Sequence, residues 1–106
     1  MYTVTKETEI EMSHRLMGYD GKCSKLHGHT WKIVVWFEKE KLKSKGTDRG
    51  MVYDFSFVKK AVLNSIEGFY DHSVVLEKDD PLVEILKKEN QKVVEVPFRP
   101  TSENLA

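Results

Sequence analysis

Residues 27–38, His-Gly-His-Thr-Trp-Lys-Ile-Val-Val-Trp-Phe-Glu, are the stretch that decides the fold of this chain. Their β-branched and aromatic residues favour extended structure, so residues 29–38 are predicted to form the strongest strand. Residues 2–12 carry Thr, Val and Ile in imperfect alternation, which predicts another strand before it. Residues 17–26 contain Gly, Asp and Lys and predict a loop. We therefore expect the two strands to pair as an antiparallel hairpin with a long, functional connection.

The remaining sequence predicts helices and one more strand. Residues 50–55 are expected to form a short buried segment, and Ser56 to cap a helix that runs to about Phe69. An acidic pair and a proline at 79–81 predict a second helix from Leu82 to about Glu89. Residues 92–98 predict a strand, and residues 99–106 the capped start of a further helix. The apolar residues of the first helix form one broad face: Phe57, Val58, Ala61, Val62, Leu63, Ile66 and Phe69.

Bulk properties limit the function classes. A chain of 106 residues suggests one domain, and 17 basic residues balance 17 acidic ones. This balance gives no electrostatic reason to expect nucleic acid or a membrane as a partner. No apolar run is long enough to span a bilayer, and the N-terminus lacks a signal-peptide core. One cysteine cannot form an intramolecular disulfide, so a cytoplasmic location is expected.

The four histidines and the only cysteine occupy three short clusters, at 13–16, 23–29 and 71–72. His27 and His29 are two residues apart, so a strand directs both imidazoles to one face. If the first two strands pair, His14 completes a three-histidine site with one open position, the pattern of catalytic zinc. The alternatives are two half-exposed strand histidines, or a histidine that caps a helix, with no metal.

Cys23 and the pair Asp71-His72 form a second candidate set. A thiolate near lysines and zinc is reactive, and a histidine polarised by an acid can carry protons. The alternatives are an inert buried cysteine and an ion pair at a helix C-terminus. Nothing in the residues themselves shows that Cys23 and His72 meet.

Five ordered motifs resemble the 6-pyruvoyl-tetrahydropterin synthase family, which includes 6-carboxytetrahydropterin synthase of 7-deazaguanine synthesis. The resemblance spans nearly the whole chain. Its motifs are Ser-His-Arg-Leu (13–16), Cys-x3-His-Gly-His (23–29), Gly-Met-Val-x-Asp-Phe (50–55), Asp-His (71–72) and Pro-Thr-Ser-Glu-Asn-Leu-Ala (100–106).

The resemblance assigns roles to these motifs. It implies that the three histidines bind zinc and that Cys23 is the general base that removes a proton from the substrate side chain. Asp71 and His72 would complete the proton relay, and the segment Thr101, Ser102 and Glu103 would help to hold the pterin ring.

The resemblance also implies the tunnelling fold (T-fold), an α+β architecture of antiparallel strands with two helices on one face of the sheet. Oligomerisation would close the sheets into a barrel, usually in a hexamer built as a dimer of trimers. Active sites would lie between subunits, with Cys23 and zinc on one chain and the Asp71-His72 pair from a neighbour.

The implied substrate is 7,8-dihydroneopterin triphosphate. Three residues separate Cys23 from His27, a spacing that resembles the bacterial and archaeal enzymes which release acetaldehyde and triphosphate and form 6-carboxy-5,6,7,8-tetrahydropterin. The alternatives are a pyruvoyl product, an aldolase-like cleavage of dihydroneopterin, and a non-catalytic homologue that binds pterin or metal. Retention of Cys23, Asp71 and His72 argues against the last.

The sequence departs from the family at two places. Residues 76–98 form a longer segment than compact bacterial members have. In the family a helix remainder, a strand pair and a pterin-anchoring glutamate would follow Ala106, so we expect the single domain over residues 1–106 to be an incomplete sequence rather than a shortened homologue.

Overall fold

Four strands form one sheet in the computed structural model, which describes residues 1–106. The strands are β1 (Tyr2–His14), β2 (His27–Lys39), β3 (Ser73–Glu77) and β4 (Val93–Val96), and they lie in the order β2-β1-β3-β4. The predicted strands at 2–12, 29–38 and 92–98 are confirmed. The sequence patterns do not predict β3.

The sheet is mixed. Strand β3 is parallel to both neighbours, with Met12 to His14 of β1 opposite Ser73 to Val75, and Val74 to Glu77 opposite Val93 to Val96 of β4. The expected all-antiparallel sheet is therefore wrong for β3 and β4. The long segment after β3 explains the difference, because parallel strands need a crossover of a dozen or more residues and this segment supplies one through a helix.

Strands β1 and β2 lie side by side and match the predicted hairpin. Their cross-strand contacts step in opposite directions along the chain, which indicates an antiparallel pair. These contacts are Ser13 with Gly28, Glu11 with Thr30, and Glu7 with Lys32.

The first helical region begins two residues earlier than predicted, because its cap is Asp54 and not Ser56. Helix α1 (Phe55–Val62) is capped by Asp54, whose carboxylate accepts hydrogen bonds from the Ser56 amide and hydroxyl. The prediction of Ser56 as the cap is wrong because Ser56 already lies in the first turn. A π-helical segment (Leu63–Glu67) leads into α2 (Gly68–Tyr70), close to the predicted end.

Two short helices follow. Helix α3 (Leu82–Lys88) confirms the helix predicted after the acidic pair, and α4 (Ser102–Leu105) the capped start predicted near the end. None of the helices is long and apolar enough to cross a membrane.

Contacts divide the chain into two compact units, residues 1–9 with 32–69, and residues 10–31 with 70–106. In the first unit the buried apolar side chains are Val52, Val58 and Val62. Residues 50–55 are thus buried only at Val52. The apolar face predicted for the first helix is buried only in part, since Phe57 of α1 and Phe69 of α2 are exposed. In the second unit the core comprises Ile10, Met12, Val75, Leu76, Val83, Val94 and Val96.

Candidate metal centre and active site

Two neighbouring strands bring the three predicted metal ligands together. His14 is the last residue of β1, and His27 and His29 share one face at the start of β2 because strand side chains alternate. Each histidine offers one ring nitrogen, and these nitrogens all lie within 4.8 Å of one another. A set of three neutral nitrogen donors is the ligand set of catalytic zinc sites.

Backbone carbonyls fix two of the rings. Nδ1 of His14 lies 2.7 Å from the carbonyl oxygen of Pro100, and Nδ1 of His27 lies 2.7 Å from that of Lys25. A carbonyl only accepts, so each Nδ1 carries the proton and donates it, which leaves each Nε2 with a free lone pair. Ligating histidines in metalloproteins are held in the same way.

The strongest evidence that the histidine cluster binds a ligand comes from His14. The residue is 5% exposed, and its Nε2 is a buried polar atom without a hydrogen-bond partner. Buried polar atoms are rarely left unsatisfied, so the orphan nitrogen fits a metal ion. Burial lowers the pKa of His14, the Pro100 carbonyl opposes this, and His27 and His29 lower it further. The lowered pKa favours the neutral ring, the form that binds metal.

Trp31 stands beside the cluster. It follows His27 and His29 at the same two-residue spacing, and its ring centroid lies 5.0 Å from that of His14 and 5.4 Å from that of His29. Both contacts are edge-to-face, a favoured arrangement of aromatic rings. Sequence reasoning did not single out Trp31, although the two-residue spacing could have done so.

Cys23 lies in the connection between β1 and β2. It is the middle residue of a short 3-10 turn (Lys22–Ser24), is half-buried and forms no disulfide. Its carbonyl accepts a hydrogen bond of 2.8 Å from the amide of Leu16, two residues after His14. The turn that carries the thiol is thus tied by its backbone to the segment that carries a metal ligand.

The predicted Asp71-His72 pair is in contact, with 3.1 Å between His72 Nδ1 and Asp71 Oδ2. Both residues are attached to Glu11 of β1: the Glu11 amide donates to Asp71 Oδ1, and the His72 amide donates to the Glu11 carbonyl. The Glu11 hydrogen bond, helped by His72 and Lys92, holds the pKa of Asp71 below its ordinary value. His72 has a φ of 56°, a conformation that is uncommon outside glycine.

The imidazole of His72 is 77% exposed and borders a cavity of about 460 Å³. The cavity is also lined by Glu11, Ser13, Gly28 and Thr30, and His29 borders it as well. These four residues alternate along β1 and β2 with the three histidines of the cluster, but Met12 and His29, which lie at histidine-face positions, line the cavity as well, so it is not confined to one face of the sheet. Within one chain the structure does not bring His72 to Cys23, and the hydrogen bonds of the pair run to Glu11 and Lys92 instead.

The segment predicted to hold the pterin ring begins directly after a residue that contacts the histidine cluster. Pro100 is fully buried, and its carbonyl is the partner of His14 Nδ1. Thr101 caps α4, because its hydroxyl accepts a hydrogen bond from the Asn104 amide. Ser102 and Glu103 are exposed in the first turn of this helix. No sequence pattern could have revealed the Pro100 contact, which joins residues 86 positions apart.

A buried ion pair supports the same region. Two guanidinium nitrogens of Arg15 donate hydrogen bonds to the Asp80 carboxylate, and the bond from Nε measures 2.6 Å. Asp80 is 3% exposed and also accepts from the Leu82 amide at the start of α3. Burial raises the pKa of Asp80, but these hydrogen bonds outweigh it, so the pKa lies below its ordinary value. The residue next to His14 is thereby anchored to a helix, another contact that sequence reasoning missed.

Fold and site together define an α+β protein with a candidate three-histidine metal centre. The family model described as 6-pyruvoyl tetrahydropterin synthase matches residues 3–106. The chain belongs to the 6-pyruvoyl tetrahydropterin synthase family, and the predicted family membership is confirmed.

Relatives narrow the comparison. The chain is 38% identical over 110 residues to the 6-carboxy-5,6,7,8-tetrahydropterin synthase of Haemophilus influenzae, covering 100% of this chain and 77% of the relative. It is 33% identical to the enzyme of that name from Rickettsia felis, covering 100% of this chain and 75% of the relative. Since these relatives are synthases, the prediction of an enzyme is confirmed.

A solved structure matches the fold. The crystal structure of an uncharacterized protein from Wolinella succinogenes superposes with a TM-score of 0.75 at 24% identity, covering 99% of this chain and 78% of that one. At this identity the match supports the α+β architecture alone.

Proposed function

We propose that this chain is a zinc-dependent lyase that converts 7,8-dihydroneopterin triphosphate and water to 6-carboxy-5,6,7,8-tetrahydropterin, acetaldehyde and triphosphate. Two kinds of observation support the proposal. The relatives that match the whole of this chain carry the name of this synthase. The three histidines offer a ligand set suited to zinc.

The observation that carries the proposal is the orphan Nε2 of His14 within a cluster of three converging nitrogens. His14, His27 and His29 would hold zinc through three neutral nitrogens and leave a position open for substrate. Bound zinc supplies Lewis acidity, which makes the C–H and O–H groups of the substrate side chain more acidic.

Cys23 is proposed as the base that removes the side-chain proton. The backbone hydrogen bond between its turn and Leu16 keeps it near the end of β1. His72, polarised by Asp71, would exchange protons with the reacting groups through Nε2, because Nδ1 is paired with the carboxylate. Because the His72 imidazole is exposed, a substrate held at the histidine cluster of a neighbouring chain could contact it.

We also propose that the active site forms between subunits. Cys23 and the histidines of one chain would meet the Asp71-His72 pair of a neighbour, within a hexamer of two trimers whose sheets close into barrels. This arrangement is supported by the exposure of the His72 imidazole and by the hydrogen bonds of the Asp71-His72 pair, which run to Glu11 and Lys92 rather than to Cys23.

Thr101, Ser102 and Glu103 are proposed to contact the pterin ring. Their support is the hydrogen bond from His14 to Pro100, which places the segment next to the proposed zinc site. The cytoplasmic location and the lack of nucleic-acid and membrane partners stay predictions.

The test is a product assay with purified protein, zinc and 7,8-dihydroneopterin triphosphate. Mass spectrometry identifies the pterin, and a coupled dehydrogenase measures acetaldehyde. We expect a carboxypterin with equimolar acetaldehyde, and no turnover in a Cys23→Ala variant that retains zinc. A pyruvoyl product without acetaldehyde would move the chain to the other branch of the family, and bound pterin without turnover would make it a binding protein.

A further inference from the structure

The three histidines of the cluster differ in what holds their rings. Hydrogen bonds to backbone carbonyls fix His14 and His27. The ring of His29 makes no hydrogen bond; its ring contacts are with His14, His27 and Trp31. Trp31 is thus the only aromatic neighbour of His29 that is not itself a candidate ligand.

We propose that Trp31 is a positioning residue that holds the imidazoles of His29 and His14 in the metal-binding arrangement before the metal arrives. The inference rests on the proposed metal site and adds to it a residue that contacts two ligands without binding the metal. Its planes stand at 84° to His14 and 86° to His29, so the indole contacts each ring edge-to-face.

Trp31 can act in this way because it is itself anchored. Its indole Nε1–H donates a hydrogen bond of 2.9 Å to the carbonyl of Met12 on the neighbouring strand. This bond crosses from β2 to β1, next to the strand end that carries His14. The indole is therefore fixed against the backbone of one strand while it contacts a ligand from each strand.

An anchored ring of this kind matters most for His29. The residue is exposed, and the torsion that turns an imidazole about its bond to Cβ has broad minima. A free ring would have to be ordered when the metal binds, and that ordering weakens affinity. For His29, the indole supplies the restraint that a second-shell hydrogen bond supplies for the other two ligands.

The test measures zinc affinity of the metal-free full chain by competition with a chromophoric chelator. Loss of a second-shell partner lowers metal affinity by about 10- to 100-fold, and we expect a loss in this range for Trp31→Ala. Trp31→Phe keeps an aromatic ring against the histidines but loses the bond to Met12, so a smaller loss is expected. The matched control is Trp36→Ala, because Trp36 lies on the same strand, is 65% exposed and, an odd number of positions after Trp31, belongs to the other face of β2; it should bind zinc like the wild type.

Tryptophan emission provides a second readout that does not depend on turnover. The chain has two tryptophans, so Trp36→Phe leaves only Trp31, about 5 Å from two ligand rings. Its emission should change in step with zinc, whereas the emission of Trp31→Phe, which retains only Trp36, should stay constant. This readout also decides the matter if Trp31→Ala does not fold.

The outcomes separate the two proposals. Wild-type chain that binds no zinc would overturn both the metal site and the role of Trp31. Wild-type affinity in folded Trp31→Ala, or an emission of Trp31 that ignores bound zinc, would overturn the positioning role and leave the metal site standing. A weakened affinity together with an unchanged melting temperature of the metal-free variant supports positioning over a merely structural role.

Discussion

Replacing Asp80 by alanine should destabilise the second unit strongly. The carboxylate is 3% exposed and accepts hydrogen bonds from two nitrogens of Arg15 and from the amide of Leu82. Alanine would leave the guanidinium without its counter-charge and the first turn of α3 without its side-chain acceptor. Both losses occur in the segment that follows the candidate ligand His14.

The magnitude follows from the burial of the two partners. Removing one partner of a buried ion pair costs about 3 to 5 kcal/mol, and losing the hydrogen bond to the Leu82 amide costs about 1 kcal/mol. The side chain of Arg15 is 22% exposed to solvent, so water replaces part of the lost interaction. We therefore expect a loss of about 3 kcal/mol, which for a chain of this size lowers the melting temperature by roughly 12 to 24 °C.

The assay is thermal unfolding followed by circular dichroism, with Glu95→Ala as the matched control. Glu95 pairs with Lys87 on the same crossover, but both side chains are well exposed, so its removal should barely change the melting temperature. A double variant, Arg15→Leu with Asp80→Leu, should be more stable than Asp80→Ala because it leaves no unpaired buried charge.

The stability difference between wild type and Asp80→Ala should depend on pH in one direction only. Hydrogen bonds lower the pKa of Asp80 in the folded state, so its stabilisation is present above the unfolded pKa of about 3.9 and is lost as the pH falls through the folded pKa. The difference in free energy of unfolding between wild type and Asp80→Ala should therefore become smaller at acid pH. An unchanged melting temperature in Asp80→Ala at pH 7, or an equal loss in Glu95→Ala, would refute the reasoning.

Three further predictions concern the site. His27→Ala should lose stoichiometric zinc by atomic emission, because two nitrogens hold the metal less tightly than three; full retention would remove His27 from the ligand set. Cys23→Ala should keep zinc and lose turnover, and normal turnover would exclude Cys23 as the base. His72→Ala should keep zinc and lower kcat with an altered pH–rate profile, while an unaltered profile would argue against proton transfer through His72.

The sequence predicted those parts of the site that lie within one segment. The spacing of His27 and His29 and the composition of β2 are local signals, and the structure places both as expected. Partners joined across the chain were not predictable, because no local pattern links Arg15 to Asp80 or His14 to Pro100.

Strand β3 was missed for a different reason. Its five residues, Ser-Val-Val-Leu-Glu, form a short apolar run without clear alternation, since Val75 and Leu76 are adjacent and both buried. A parallel strand covered on both faces reads in this way, and length alone separates it poorly from a turn of buried helix. The mixed sheet follows from this strand, so the same short segment accounts for the missed topology.

The two halves of the proposed proton relay are attached to different residues of β1, namely His14 and Glu11. His14 and Glu11 both belong to β1 but are separated by an odd number of positions, so their side chains point to opposite faces of the sheet. The histidine cluster includes His14, whereas Asp71 and His72 are hydrogen-bonded to the backbone of Glu11, and His72 lines the cavity that Glu11 also borders. Rotating a side chain cannot exchange these faces, because a shift of one residue in register would also turn Ile10 and Met12 out of the core. If the proposed active site forms between two copies of the chain, mixing Cys23→Ala with His72→Ala protein should give more activity than either variant has alone, because one mixed site then combines an intact Cys23 with an intact His72; no gain on mixing would argue against a shared site.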